Sequence, residues 1–361
     1  MKKINVTKPY LPNREKFDKY IDQIYQSNWL TNNGPLVQEL EKRLRDYLGV
    51  KNIVLTANGT LALQVAYKLL DLKGEVVTTP FSFVATSSSL AWENLKPVFA
   101  DINEDTLNFD PKQVESKITD KTAALLPVHV FGNPCEVEKI KEIADKNNLK
   151  VIYDAAHAFG VKYKRESILN WGDVSILSFH ATKIFHTIEG GALIINDDEL
   201  YRKAKQMINF GYEDGAIKSF GVNAKMNEFS AAMGLCLLDD IEKILSSREE
   251  VWEYYYQNFK DICALQNKTK NSTNNYHYFP IILKSEEERE KIQEKLSQNG
   301  IYPRRYFWPS LDCLDYLSQS NDECSSSKNI SERILCLPIY PELDKKDQDR
   351  MLEIIMNNLS I

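Results

Sequence analysis

Short apolar runs alternate with segments of helical periodicity between about residue 50 and residue 200 of the chain. The apolar runs predict strands at residues 52–56, 75–79, 97–101, 123–130, 151–154, 174–178 and 192–196. Amphipathic segments between several of them predict helices, for example at residues 61–70 and 137–148. The runs are continuously apolar and do not alternate, which is typical of strands buried on both faces. The pattern therefore predicts the α/β class, with a mainly parallel sheet covered by helices on both sides.

The pattern changes after residue 226. A long helical segment at residues 226–259 predicts a helix that leads from a large domain into a smaller one. The region that follows predicts a loop, a strand and two helices, in that order, at residues 266–275, 276–283, 286–299 and 344–359. Gly300 is placed to end the first of these two helices. We therefore expect a large domain over residues 1–240 and a smaller α+β domain over residues 241–361.

Length and composition narrow the range of functions. The chain has 361 residues, which favours two domains over one core. Its 43% hydrophobic and 27% charged residues are ordinary for a globular protein. The net charge of −6 argues against a nucleic-acid surface. No apolar run approaches the roughly 18 residues of a membrane span, and the first residues lack the apolar segment of a secretory signal.

The cysteines give no sign of a metal site. Six of them are scattered along the chain without a CxxC spacing, so neither a zinc site nor a disulfide framework is a good interpretation. A reducing, cytoplasmic location is the simplest expectation for such free cysteines. We therefore expect no metal, no membrane and no nucleic acid among the partners.

An aspartate and a lysine lie at the ends of two predicted strands. Asp154 ends the strand at residues 151–154, and Lys183 follows the strand at residues 174–178 by five positions. Pyridoxal phosphate needs a primary amine for its Schiff base and a carboxylate that keeps its ring nitrogen protonated. A lone lysine after a strand is more often a solvated charge, and an aspartate before Ala155 is as readily a helix N-cap. Together the two residues predict a pyridoxal phosphate site.

Further candidates also follow predicted strands. Gly59 and Thr60 open a helix, where N–H groups and a hydroxyl can hold an anion, and Ser178 offers a second hydroxyl. His157 lies three residues after the aspartate and is placed to contact a cofactor ring. An aromatic residue within residues 80–86 is placed to stack on that ring. Each candidate has a structural alternative, which is a helix cap, a core histidine or a core aromatic.

Taken together, these motifs resemble one family. The chain is similar nearly from end to end to the DegT family of nucleotide-sugar aminotransferases, which have the fold-type I architecture and use pyridoxal phosphate. The motifs that carry this resemblance are Trp29-Leu-Thr-Asn-Asn-Gly-Pro35, Asn58-Gly-Thr60, Thr79-Pro-Phe-Ser-Phe83-Val-Ala-Thr86, Pro127-Val-His-Val-Phe-Gly132, Asp154-Ala-Ala-His157, Ser178-Phe-His-Ala-Thr-Lys183, Glu189-Gly-Gly191, Gly221-Val-Asn223 and Leu337-Pro338.

The resemblance implies a role for each cofactor residue. Lys183 would form the Schiff base, Asp154 would pair with the ring nitrogen, and His157 would lie beside the ring; these three would be catalytic. The cofactor contacts that it implies are Gly59, Thr60, Phe83, Asp154, His157, Ser178, Lys183 and Asn223.

Members of this family are homodimers whose active sites lie at the subunit interface. This implies that Asn223 reaches the phosphate in the partner's site. The usual Asn-Tyr-Arg pattern of the family reads Asn223-Ala-Lys225 in this chain, so Lys225 is uncertain as a contact.

The resemblance also implies the reaction, in which L-glutamate gives its amino group to the keto carbon of a nucleotide-linked keto-deoxy sugar for surface polysaccharides such as O-antigen. Relatives with histidine in place of the lysine are sugar dehydratases, so Lys183 favours transamination. Residues 6–12, 180–183 and 304–309 resemble enzymes that make dTDP-4-amino-4,6-dideoxyglucose from the 4-keto sugar. The substrate contacts that we expect are Thr31, Asn32, Gly34, His180, Arg304, Arg305 and Tyr306.

Alternatives to this substrate stay open at the sequence level. A 3-keto dTDP-sugar, GDP-4-keto-6-deoxymannose or a UDP-keto-sugar would use the same cofactor residues. A catalytically silent sensor of the same fold is the alternative from another class, and it predicts lost cofactor residues, whereas none is lost here. The aromatic segment at residues 306–308 is as readily a partly buried turn as a substrate contact.

Overall fold

Strands and helices alternate along the first two thirds of the chain in the computed structural model, which describes residues 3–317 and 324–359. The helices are α1 (Arg14–Ser27), α2 (Pro35–Leu48), α3 (Gly59–Leu69), α4 (Ala85–Trp92), α5 (Pro111–Val114), α6 (Val137–Asn147), α7 (Asp198–Met207), α8 (Glu228–Asp239), α9 (Ile241–Phe259), α10 (Glu286–Gln298), α11 (Ser325–Arg333) and α12 (Lys345–Met356).

Within the described residues, the strands fall into one large sheet, one small sheet and three short pairs. They are β1 (Ile4–Asn5), β2 (Ile53–Thr56), β3 (Glu75–Thr78), β4 (Lys96–Phe99), β5 (Thr122–Leu126), β6 (Lys150–Asp154), β7 (Lys162–Tyr163), β8 (Glu166–Ser167), β9 (Val174–Ser178), β10 (Gly191–Ile195), β11 (Tyr212–Glu213), β12 (Ala216–Ile217), β13 (Ala264–Leu265), β14 (Phe279–Ile282), β15 (Ile301–Tyr302) and β16 (Ile334–Leu337).

The large sheet has the strand order β2-β10-β9-β6-β5-β3-β4. β10 runs antiparallel to both of its neighbours, and the other neighbouring pairs run parallel. Every residue of β2, β3 and β10 is buried, because helices cover both faces of the sheet. Residues of α2, α6 and α8 belong to one apolar core, and residues of α3 and α7 belong to a second. The predicted α/β class with a mainly parallel sheet is confirmed.

One edge of this sheet gathers the ends of several strands. Gly191 begins the antiparallel β10 and pairs with Thr56 on one side and with Ser178 on the other. A Cβ atom at Gly191 would lie 2.6 Å from the carbonyl carbon of Asn58, so a glycine is needed for this close approach. The carboxyl ends of β2, β6 and β9 therefore meet at the edge where α/β sheets usually bind their ligands.

The C-terminal part has an apolar core of its own. The small antiparallel sheet of β13, β14 and β16 packs with residues of α9, α10 and α12. Ile4 also belongs to this core, because β1 pairs with β15. The division into residues 1–240 and 241–361 stays a proposal, which this second core supports. None of the helices among the described residues is long and apolar enough to cross a membrane.

The prediction of one continuous helix at residues 226–259 is wrong. α8 ends and α9 begins on the two sides of Asp240, whose φ and ψ angles of −101° and 3° leave the helical region. The side chain of Asp240 accepts hydrogen bonds from Lys16 Nζ at 2.9 Å and from the Tyr10 hydroxyl at 3.1 Å. The break therefore ties the two helices to the N-terminal segment.

Two smaller predictions also differ from the structure. The strand expected at residues 123–130 ends at Leu126, and a 3-10 turn follows at Val130–Gly132. The prediction for the C-terminal part omitted α11 and β16. β16 pairs with β14 from Phe279 to Ile282, so it forms one edge of the small sheet, and β14 is the central strand.

Candidate active site

A cavity of about 380 Å³ opens at the carboxyl edge of the large sheet. We call it the site cavity. It lies between the first turn of α3, the segment that follows β9 and residues 304–307 of the C-terminal part. Its described lining includes the predicted site residues Gly59, Thr60, Phe83, Asp154, His157, Ser178, His180, Lys183, Arg304 and Tyr306.

Asp154 ends β6 as a buried carboxylate with two hydrogen-bond donors. Its Oδ2 accepts a hydrogen bond from the Thr86 hydroxyl at 2.8 Å, and its Oδ1 accepts one from the Ala156 N–H at 3.1 Å. Burial raises the pKa of Asp154, and the Thr86 bond, the Ala156 bond and the charge of Lys183 oppose this rise. No helix begins here in the described chain, so the N-cap alternative is wrong.

Lys183 lies in the bend after β9 and faces the cavity. Its main-chain N–H donates to the His180 carbonyl at 2.9 Å. Loss of contact with water inside the protein lowers the pKa of Lys183 to about 8, and the negative charge of Asp154 opposes this fall. An amine with this pKa is partly unprotonated near neutral pH, so its lone pair is available to attack a carbonyl carbon.

Buried aromatic rings fix the bend that carries the lysine. Phe179 and Phe185 lie on either side of Lys183 in the sequence, and their rings meet edge to face at 4.9 Å. Phe185 also stacks on Phe159 at 4.7 Å. This packing holds both ends of the bend in the core, so the backbone of Lys183 is held in a fixed position.

His157 is a neutral imidazole in the wall of the site cavity. Its Nδ1 accepts a hydrogen bond from the Phe131 N–H at 3.3 Å. Burial, then the charge of Lys183 and the neighbouring His277, hold the pKa of His157 well below its ordinary value. A neutral ring that accepts through Nδ1 carries its proton on Nε2, so Nε2 is the donor that it can offer to a ligand.

The start of α3 forms an anion cradle. The Asn58 side chain caps the helix by accepting the Leu61 N–H at 2.8 Å. A Cβ atom at Gly59 would lie 3.0 Å from the Ser178 Cβ and 3.4 Å from its Oγ. The glycine therefore lets the helix terminus approach the serine hydroxyl closely. The first N–H groups of a helix lack partners within the helix, and together with the Thr60 and Ser178 hydroxyls they suit a phosphate group.

The two phenylalanines of residues 80–86 have different environments. Phe81 is fully buried, and its ring packs edge to face against Phe131 and Phe307. Phe83 is 59% exposed and lines the site cavity. Phe83 is therefore the ring that can stack on a flat ligand, and Phe81 is a core residue.

The paired arginines are also different. Arg304 is exposed and lines the site cavity. Arg305 lies outside that lining, because its guanidinium donates to the Glu286 carboxylate and to the Ser331 carbonyl, both at 3.3 Å. Of the two arginines, Arg304 is the one placed to meet a ligand in the site cavity.

Thr31, Asn32 and Asn223 are exposed residues outside the described lining of this cavity. Their roles in binding stay predictions. Lys225 is partly buried, with its ammonium 4.8 Å from the centre of the Phe210 ring.

Gly34 also lies outside the site cavity, and its surroundings give it a packing role. A Cβ atom at Gly34 would lie 2.4 Å from the Trp29 ring and 2.6 Å from the carboxyl carbon of Glu228. The carboxylate of Glu228 accepts hydrogen bonds from the Leu36 and Val37 N–H groups, at 2.8 and 3.0 Å. The glycine therefore leaves room for the carboxylate that caps α2.

The sequence prediction missed several residues of the site cavity. Thr86 lies in one of the family motifs without a predicted role, and its hydroxyl donates a hydrogen bond to Asp154. Tyr278 and Phe307 come from the C-terminal part and also line the cavity. Phe307 lies within the aromatic segment at residues 306–308, whereas no local pattern identifies Tyr278, because only the tertiary fold brings it to the sheet edge.

Comparisons with known proteins agree with this geometry. The family model described as the DegT/DnrJ/EryC1/StrS aminotransferase family matches residues 12–356. A dTDP-4-amino-4,6-dideoxy-D-glucose transaminase of Shigella dysenteriae is 44% identical, over 99% of this chain and 98% of the relative. A protein of the same name from Escherichia coli is 39% identical, over 99% of both chains.

Solved structures give the same result for the fold. The structure of DesI in the presence of its TDP-sugar product matches with a TM-score of 0.93 and 32% identity, over 98% of this chain and 92% of that one. The Helicobacter pylori aminotransferase PseC, involved in pseudaminic acid biosynthesis, matches with a TM-score of 0.90 and 27% identity, over 99% of both chains. The chain therefore belongs to the DegT/DnrJ/EryC1/StrS aminotransferase family.

Proposed function

We propose that this aminotransferase uses pyridoxal phosphate to move the amino group of L-glutamate to the keto carbon of dTDP-4-dehydro-6-deoxyglucose, which yields dTDP-4-amino-4,6-dideoxyglucose. The observation that carries the proposal is one cavity that holds a lysine of lowered pKa, a buried aspartate and an anion cradle. The names of the relatives at 44% and 39% identity support this sugar among the alternatives.

The residues of the site cavity fit pyridoxal phosphate. Gly59, Thr60 and Ser178 would hold its phosphate, and Phe83 would cover one face of its ring. Asp154 would pair with the ring nitrogen. When bound, the cofactor supplies an aldehyde that condenses with primary amines and a cationic ring that withdraws electrons from the substrate carbon.

Lys183 would be both the covalent anchor and the base. Because its pKa is about 8, the amine can take a proton from the amino-acid carbon and later return one to the sugar carbon. The neighbouring His157 carries no charge at neutral pH, so it can donate a hydrogen bond from Nε2 without competing for that proton.

Asp154 would keep the ring nitrogen protonated. It must be ionised for this purpose, although its burial favours the neutral form. The Thr86 hydroxyl stabilises the charge, and the Ser82 hydroxyl lies 2.7 Å behind Thr86 in the same chain of hydrogen bonds. A carboxylate with such donors holds a cationic nitrogen more strongly than an unsupported buried one.

The mouth of the site cavity would hold the sugar nucleotide. Arg304 is an exposed cationic residue in the described lining of the cavity, and its guanidinium suits a diphosphate. His180 and Tyr306 border the same opening and would contact the sugar. His180 is exposed and lies 3.5 Å from the Glu189 carboxylate, which orients its ring.

We also infer a homodimer. A group of large apolar side chains is exposed among the described residues, and its members are Trp29, Leu30, Ile188, Phe210, Ile217, Phe220, Val222 and Phe229. Main-chain hydrogen bonds connect its parts, from Glu228 to Leu30 at 3.0 Å and from Phe210 to Val222 at 3.3 Å. Exposed apolar groups of this size usually mark an interface. A second copy that covers them would bring its Asn223 towards this cavity.

The half-reaction with glutamate tests the chemistry of this proposal. We expect the cofactor-loaded protein to change its absorbance on addition of L-glutamate and to release 2-oxoglutarate. Lys183→Ala should abolish both changes, whereas Lys139→Ala should leave them intact, because Lys139 pairs with Glu136 on an exposed helix face. Unaltered amino transfer by the Lys183 variant would refute the proposal.

A panel of nucleotide-linked keto sugars tests the substrate. We expect the 4-keto dTDP-sugar to accept the amino group faster than the 3-keto dTDP-sugar, GDP-4-keto-6-deoxymannose or a UDP-keto-sugar. Preference for another member of the panel would leave the proposed aminotransferase reaction intact and replace the proposed sugar substrate. Failure of glutamate to react at all would instead favour a silent member of the family.

A further inference from the structure

A second depression continues from the mouth of the site cavity. It has a volume of about 760 Å³ and lies between the N-terminal segment at residues 5–9 and residues 302–308. We call it the outer groove. Thr182, Arg304 and Tyr306 line both the site cavity and the outer groove, so the two spaces are adjacent. A ligand too long for the site cavity would extend into the outer groove.

An exposed indole with one occupied face borders the outer groove. Trp308 is 55% exposed. The guanidinium of Arg305 lies 4.2 Å from the centre of its ring, which is within the range of a cation–π contact. Arg305 is itself held by Glu286 and Ser331. The indole is therefore contacted on one side by a guanidinium that is itself held in place, and more than half of the residue stays exposed.

Glu286 ties this arrangement to the core of the C-terminal part. Its Oε1 accepts a hydrogen bond from the guanidinium of Arg289 at 3.0 Å as well as the one from Arg305. Arg289 is buried and also donates to the Glu332 carbonyl at 3.0 Å. A platform with such support loses little conformational entropy when a ligand stacks on it.

Arg304 has a rigid backbone and an open side chain. Its N–H donates to the Cys336 carbonyl at 3.1 Å, and its carbonyl accepts the Cys336 N–H at 2.8 Å. Among residues 3–317 and 324–359 we find no ion pair to its guanidinium. The charged residues of the described groove lining are Arg304 and Arg305, so the outer groove favours an anion.

We propose that Trp308 is the stacking platform for the nucleobase of the substrate, with the diphosphate on Arg304 and the sugar in the site cavity. This inference rests on the proposed function, because it requires a nucleotide-linked substrate. Every nucleobase has a flat π face, so stacking contributes affinity and does not select the base. The diphosphate follows the exposed arginine, which binds planar oxyanions well.

Binding of two probes to the cofactor-loaded protein tests the platform. dTDP carries the base and the diphosphate, whereas inorganic pyrophosphate carries only the anionic part. We expect Trp308→Ala to bind dTDP about 5- to 140-fold more weakly by calorimetry, the range given by loss of one base stacked on one aromatic ring. Its affinity for pyrophosphate should change less than twofold.

Two further variants complete the test. Trp308→Phe should keep most of the dTDP affinity, because the smaller ring still stacks. Trp92→Ala is the matched control, since Trp92 is 79% exposed and lines neither the site cavity nor the outer groove. dTDP should also quench the tryptophan fluorescence of the wild type more strongly than that of Trp308→Phe, a readout that needs no truncation of the side chain.

Unchanged dTDP affinity in Trp308→Ala, or equal loss of dTDP and pyrophosphate binding, would overturn the platform. Equal quenching in the wild type and in Trp308→Phe would do so as well. The failure of the proposed function is a separate result, because it is measured in the wild type as absence of a reaction with L-glutamate. The binding measurements need no turnover.

Discussion

Replacing Thr86 by valine removes the hydroxyl that donates a hydrogen bond to Asp154 and keeps the shape of the side chain. In the structure this bond is 2.8 Å long and buried, and the Ser82 hydroxyl lies 2.7 Å from Oγ1 of Thr86. The remaining donor to Asp154 that we observe is the Ala156 N–H at 3.1 Å. The substitution therefore weakens the ionised form of a carboxylate whose pKa burial already raises.

The expected size of the effect follows from the energy of one hydrogen bond to a charged group. Such a bond contributes about 1.5–3 kcal/mol, and 1.36 kcal/mol corresponds to one pKa unit. Loss of the Thr86 hydroxyl should therefore raise the apparent pKa of Asp154, because the ionised form loses about 1.5–3 kcal/mol of stabilisation. Activity requires the ionised form and falls as the pH drops through this pKa, so the acid limb of the pH profile should move to higher pH.

Single-turnover reaction with L-glutamate, followed by absorbance across a pH series, measures this limb. Thr86→Ser is the matched control, because it keeps the hydroxyl and should keep the profile of the wild type. An acid limb in Thr86→Val that coincides with that of the wild type would refute the role of the Ser82–Thr86–Asp154 chain. A uniform loss of rate without a shift would refute it as well.

Two other predictions follow from the site and its surroundings. In the cofactor-free protein, the rate of covalent pyridoxal phosphate attachment should rise with pH around an apparent pKa of about 8, because unprotonated Lys183 is the nucleophile. Asp154→Asn should lower that midpoint, because it removes a negative charge that raises the pKa of Lys183. A midpoint near the ordinary value of 10.5 would contradict this prediction. Phe220→Asp should shift the protein towards monomer in light scattering, because Phe220 is 70% exposed in the proposed interface, whereas Trp92→Asp should leave the mass unchanged; a dimer that survives Phe220→Asp would count against this interface.

The sequence predicted the parts of the site that depend on local pattern. Asp154 and Ser178 end continuous apolar strands, and strand ends in an α/β sheet meet at one edge. Gly59 opens a helix directly after such a strand. Gly59 lies in a single βα unit, and Asp154 and Ser178 each end a strand, so the local pattern places each of them at a strand end without knowledge of the rest of the chain.

What the sequence could not separate depends on tertiary packing. Arg304 and Arg305 are adjacent residues of the same type, and only the position of Glu286 in the fold shows that Arg305 is the one held in an ion pair. Phe81 and Phe83 likewise differ only through the rings that pack around Phe81. Hydrophobic periodicity also extends across Asp240, where the bonds from Lys16 and Tyr10 accompany the break between α8 and α9.

The central claim is that one lysine anchors the cofactor, and borohydride reduction measures it most directly. The protein is incubated with pyridoxal phosphate, reduced, digested and analysed by mass spectrometry. The account predicts a single modified peptide with the cofactor on Lys183, and loss of that modification on prior reaction with excess L-glutamate. No modified peptide, or modification spread over other lysines with Lys183 free, would contradict it.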